Sequence, residues 1–175
     1  MTAAYKKALG FTLVELLITL LVLSVLLSIG VTNYTGLFSQ QVLTQTAERV
    51  YHFLRLAETE AISRNKIIYV HFCQSQDTQQ WKMAMTDLTA CDCFSSSSCL
   101  LSGNDRVEEL SDGKTLFADI NFAGEQASYK PMRFHVNIGN VTLTDISGNQ
   151  LKVIQGVYRL RICSPNKAQL GYKKC

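Results

Sequence analysis

Hydrophobic and polar positions divide this chain into three textures. From Phe11 to Gly30 the residues are apolar almost without a break, and Glu15 is the only charge among them. That run of 20 residues makes roughly 30 Å of helix at about 1.5 Å per residue, enough to cross a bilayer. Further on, Leu43, Ala47, Val50, Leu54, Ala57 and Ala61 recur at spacings of three and four, with Gln45, Glu48, Arg49, Arg55, Glu58 and Arg64 between them. This is a single helical stripe with Tyr51 and Phe53 at its margins. It is short and rich in alanine, which suits it to covering a sheet rather than to a coiled coil. No proline falls between Phe11 and Arg64, so both textures predict one nearly continuous helix of about 50 residues, with Gly30 or Gly36 as the place for a bend.

After Asn65 the period falls from 3.6 to 2. Lys66 to Cys73 reads as a strand, and Trp81 to Met85 as its hairpin partner across a polar turn. Ser102 to Lys114 reads as a solvated loop with an acidic patch at Glu108 and Glu109, and Gly124 to Lys130 as another loop. Strands are expected at Leu116–Phe122, Arg133–Asn137, Val141–Asp145, Leu151–Ile154 and Tyr158–Cys163. Gly139-Asn140, Ser147-Gly148-Asn149 and Gly156 mark turns, and Pro165-Asn166 precedes a last strand. The fold class is therefore α+β, a long N-terminal helix packed on antiparallel sheets.

Composition narrows the setting. The six cysteines all follow residue 72, which suggests an oxidising compartment. Cys73, Cys91, Cys93 and Cys99 could imitate a four-thiolate zinc site, but Ser95 to Ser98 form a flexible loop that two bridges would pin. The pairings expected are Cys73 with Cys91 or Cys93, the other of those two with Cys99, and Cys163 with Cys175, stapling the two terminal strands. His52, His71 and His135 have no metal-ligand spacing, and no GxSxG, phosphate loop or HExxH occurs. No cofactor and no enzymatic activity are expected.

The apolar run could serve as a secretory signal, with Lys6 and Lys7 as its basic flank, but a glutamate inside it costs at least about 2.5 kcal/mol near the bilayer centre and needs a use. Gly10-Phe11-Thr12-Leu13-Val14-Glu15 after a short basic leader resembles the class III signal of type IV prepilins and pseudopilins. The helix end Leu54 to Asn65, followed by a strand to Cys73 and then Trp81, is similar to H-type minor pseudopilins and to the FimT and FimU minor pilins. That resemblance implies cleavage by the prepilin peptidase between Gly10 and Phe11, N-methylation of Phe11, and an assembly role for Glu15 against a neighbouring subunit's N-terminal amine. It implies a cleaved leader over 1–10, a transmembrane and filament-core helix over 11–38, an amphipathic helix over 39–65 and a disulfide-containing, β-rich head over 66–175. The expected location is the inner membrane as a single-pass protein with a periplasmic head, and then a pilus or pseudopilus with other minor and major pilins as partners.

Charge adds one further candidate. The formal net charge is +3, and loss of Lys6 and Lys7 with the leader leaves 15 basic against 14 acidic side chains. Yet Lys152, Arg159, Arg161, Lys167, Lys173 and Lys174 are the only charged side chains from residue 152 onward. Such a segment can grip phosphates, with Tyr158 or Tyr172 stacking on bases. DNA-binding FimT-type pilins carry a Gly-Arg-x-Arg motif. Here Gly171 matches, Tyr172 replaces the first arginine, and Lys174 keeps the charge without the guanidinium fork. The functions to weigh are a minor pilin with a structural role in an initiating or tip complex and in support of DNA uptake, a minor pseudopilin of a type II secretion system, and a tip receptor for double-stranded DNA through Arg159, Arg161, Lys167, Tyr172, Lys173 and Lys174.

Overall fold

The computed structural model describes residues 10–111, 114, 116–132 and 136–175, and the helix side chains outside 29–35. Helix α1, Leu13–Arg64, runs 52 residues and continues through the positions of Gly30 and Gly36. Two units divide the chain, the first ending at Leu37 and the second covering Phe38–Cys175.

In the second unit the expected stripe is the floor of the core. Leu43, Ala47, Val50, Leu54, Ala57 and Ala61 are all fully buried, as a strip of positions three and four apart on one helix face must be when a sheet covers it. Two four-stranded antiparallel sheets supply the cover. The first has the order β5-β2-β1-β7, from β1 (Ile68–Gln74), β2 (Trp81–Thr86), β5 (Val107–Ser111) and β7 (Gln126–Tyr129). The second has the order β10-β9-β8-β6, from β6 (Leu116–Asn121), β8 (Gly139–Asp145), β9 (Gln150–Gln155) and β10 (Leu160–Cys163). A small hairpin joins β3 (Leu100–Leu101) to β4 (Asn104–Asp105).

Hairpin β1/β2 sets Phe72 opposite Met83 and Val70 opposite Met85, four side chains that all enter the core. In the second sheet Val141 faces Val153 and Leu143 faces Leu151 across β8/β9, and all four are fully buried. Alternate positions of β8 point away from that core, the period-2 rule of a half-covered sheet. Phe122 stacks on Phe72 with ring centroids 5.5 Å apart and lies over the backbone of Gly139, where any Cβ would fall 2.2 Å from its ring. Glycine at 139 is thus what lets this aromatic seam close.

Three expectations need correction. The stretch taken as a solvated loop over 102–114 contains β4 and β5. Adjacent Glu108 and Glu109 hide the alternation of β5, as an edge strand tolerates. The supposed loop 124–130 holds a 3₁₀ turn, Ala123–Glu125, and β7. Past Pro165 there is no last strand but a turned tail, held by single bridges Ser164–Lys174 and Gln169–Tyr172. The strand expected at 133–137 falls partly outside the described residues, and Val136 bridges Tyr129.

Candidate functional site

The helix start is built by its own sequence. The Thr12 hydroxyl accepts the Glu15 backbone N–H at 3.3 Å, and the Thr12 carbonyl accepts the N–H of Leu16 at 3.2 Å. Thr12 is therefore an N-cap and Glu15 the third helical residue, the spacing of a capping box. A carboxylate in this first turn also complements the helix dipole. Sequence reading singled out Glu15 and missed Thr12, although Thr-x-x-Glu before an apolar run is the signal that finds it. Gly10 is exposed with open space around its Cα, and Phe11 is 78% exposed. The peptide bond between them is reachable. Residues 1–9, including Lys6 and Lys7, lie outside the described residues.

From Leu13 to Leu27 every large apolar side chain of the helix is exposed by about half or more, where covering each one would contribute about 1.5–3 kcal/mol. The hydroxyls among them are already satisfied. Thr19, Ser24 and Ser28 donate to the carbonyls of Leu16, Leu21 and Val25 at 2.8, 2.8 and 2.7 Å, so this surface can enter an apolar medium without stranded donors. Among the described residues no helix is long and apolar enough to cross a membrane. Described side chains of the run end at Ser28, about 22 Å from Leu13 at about 1.5 Å per residue.

The six cysteines close as Cys73–Cys93, Cys91–Cys99 and Cys163–Cys175. All four thiols of the would-be zinc set are thereby consumed. Cys93 and Cys99 pack on Ala84 in a small satellite core, and Cys163–Cys175 ties the turned tail, not a terminal strand, to β10. His71 is buried, its Nε2–H donating to the Leu88 carbonyl at 3.1 Å. His52 is exposed, and His135 lies outside the described residues.

The basic candidates do not behave alike. Arg159, Arg161, Lys167, Lys173 and Lys174 are exposed, whereas Lys152 is half-buried. Tyr172 is half-buried against the core, and its hydroxyl donates to Glu48 Oε1 at 2.9 Å. Burial, then the hydrogen bond to that carboxylate and its charge, pushes the phenol up to about 12. Tyr172 is thus a strut between the tail and α1, and the exposed aromatic beside the arginines is Tyr158, 81% exposed. Burial likewise raises the Tyr129 phenol strongly, and that hydroxyl donates to Gln155 Oε1 at 3.1 Å. An open groove follows α1 and β10. Arg55, Ile62, Val157 and Arg159 line a part of about 550 Å³, and Glu48, His52, Arg161 and Tyr172 line a second part of about 430 Å³.

Comparison with known proteins gives two family matches. The family described as "Type II transport protein GspH" matches residues 46–164, and the "Prokaryotic N-terminal methylation motif" matches residues 5–31. An uncharacterized protein of Haemophilus influenzae is 29% identical over 92 residues, 51% of this chain and 54% of that protein, so the chain spans about half the length of this curated relative. Among solved structures, the minor pseudopilin EpsH from the type 2 secretion system of Vibrio cholerae matches with a TM-score of 0.50 at 20% identity, over 71% of this chain and 98% of that one. The type IV minor pilin FimU of Pseudomonas aeruginosa matches with a TM-score of 0.45 at 17% identity, over 74% and 94%.

Proposed function

The chain belongs to the GspH family and carries a prepilin-type methylation motif, and from that premise we propose that it is a minor pilin of a type IV pilus with a structural role in the initiating or tip complex. The family comprises structural pilins and pseudopilins rather than enzymes, and such subunits assemble with other pilins. The finer steps are our reading. Prepilin peptidase cuts after Gly10 and Phe11 is N-methylated. The apolar helix then holds the subunit in the inner membrane, with its head on the periplasmic side, until it enters the filament.

One observation carries this reading: a capped, exposed helix start with a carboxylate in its first turn, followed by an exposed apolar surface from Leu13 to Leu27. A buried carboxylate becomes tolerable when an ammonium compensates it, and the amine of a neighbour's Phe11 supplies one. The disulfide-rich head supports a pilus rather than a secretion pseudopilus, since both the 91–99 loop and the tail are stapled. Intact-mass and N-terminal analysis of the membrane-extracted protein tests the processing step. It should begin at methylated Phe11, and an unprocessed chain in a host with active prepilin peptidase would contradict it.

A second reading, a DNA receptor, is favoured by the all-basic segment after residue 152 and the exposure of its Arg159, Arg161, Lys167, Lys173 and Lys174. Phosphate contacts of this kind weaken steeply with salt. Binding to duplex DNA across a salt series should fall in Lys173→Ala plus Lys174→Ala, and equal binding by parent and variant removes this reading.

A further inference from the structure

The second sheet ends in an edge that is only partly closed. Among the described residues β10 pairs with β9 alone, and Leu160 faces Gln155 while Ile162 faces Val153. In the turn before β10, the Gly156 N–H donates to the Arg159 carbonyl at 3.0 Å. Hydrogen-bonded pairs alternate along an antiparallel ladder, so counting from that bond puts Arg161 in a bonded pair with Ile154. The N–H and C=O of Leu160 and Ile162 therefore point outward, into the groove beside α1. Among the described residues nothing bonds them from that side. At Ser164, one step beyond β10, the chain's own tail already closes the same edge. The Ser164 N–H donates to the Lys173 carbonyl and the Cys175 N–H to the Ser164 carbonyl, both at 2.9 Å. This edge thus accepts an added strand, and the tail fills only its far end.

The charges beside the open part select the occupant. Arg159 and Arg161 are exposed two residues apart and make no ion pair among the described residues. The carboxylates of the groove are engaged, Glu58 by Arg55 at 2.7 Å and Glu48 by Tyr172. We infer that the open edge of β10 takes up, as an added strand, an extended segment of a partner subunit with carboxylates at alternate positions. Main-chain bonds to Leu160 and Ile162 supply affinity and the two arginines supply selectivity. That the partner is a fellow subunit rests on the filament reading. Strand addition itself is measured on the purified chain, so either can fail without the other.

The test uses the full chain in detergent micelles and a fluorescent peptide alternating glutamate with valine, with a lysine–valine peptide and a scrambled peptide of equal charge as comparisons. The glutamate–valine peptide should bind at least about tenfold more tightly than either, the equivalent of about 1.4 kcal/mol, and slow amide exchange at Leu160 and Ile162. Ile162→Pro removes an outward N–H, leaves the ladder to β9 intact, and should abolish binding. Arg159→Glu with Arg161→Glu is a surface change that should reverse the preference toward the lysine peptide. Equal binding of the scrambled peptide, unchanged exchange at the two amides, or an unaltered preference in the double variant would each overturn the proposal. Protection of both amides by self-association without peptide would overturn the partner assignment in favour of a second copy.

Discussion

Residues 13–28 and residues 43–61 belong to one unbroken helix, and they solve opposite problems. In the first stretch every described large apolar side chain lies open, hydroxyls fold back on the backbone, and no face is polar. In the second, one stripe vanishes beneath two sheets while Arg55, Thr59 and Ser63 stay outside. One helix thus carries two surfaces, an open apolar one and a covered amphipathic one. The core of the second unit is complete from its own residues, while the apolar side chains from Leu13 to Leu27 stay exposed.

Substitutions can break that contrast, and the core half should respond most. Leu54→Ala, at a fully buried position, should lower head stability by about 2–5 kcal/mol, read by denaturant unfolding of the full chain through its one tryptophan, Trp81, itself buried. Leu20→Ala in the apolar half should leave the same transition in place, and a comparable loss would erase the distinction. Removing the tail staple with Cys163→Ser plus Cys175→Ser should cost the head about 2–4 kcal/mol.

Tyr172→Phe sharpens the comparison more gently, because it cuts one bond from the tail to the core half of α1. About 1 kcal/mol should be lost near neutral pH. Since the folded state raises this phenol from its ordinary value near 10 to about 12, the contribution is fully present below pH 10 and lost as pH rises through about 12. The gap between parent and Tyr172→Phe should close over that window, and a gap that widened there would contradict the Glu48 contact. Arg55→Ala, at an exposed pair with Glu58, should change the midpoint by no more than about 0.5 kcal/mol.

Much of this contrast could be read from the residues alone. The stripe from Leu43 to Ala61 was visible because the buried face of a helix repeats at 3.6, and β1, β2, β8 and β9 because half-covered strands alternate. β5 was hidden by its paired glutamates and β7 by its brevity after Gly124. The tail evaded prediction for a different reason: Tyr172 and Glu48 are 124 positions apart, and no local pattern announces so distant a hydrogen bond. At the helix start Glu15 drew notice as a charge in an apolar run, while Thr12, whose hydroxyl caps the helix, looked like one more neutral residue.

On the proposed function, the exposed half of α1 packs on neighbouring subunits and Glu15 keys that contact. The most direct test is the amount of Glu15→Ala subunit recovered in sheared filaments relative to its level in the membrane. The variant should insert and be processed as the parent is, yet be depleted from filaments by about tenfold or more, the equivalent of about 1.4 kcal/mol. Incorporation at the parental level would contradict it.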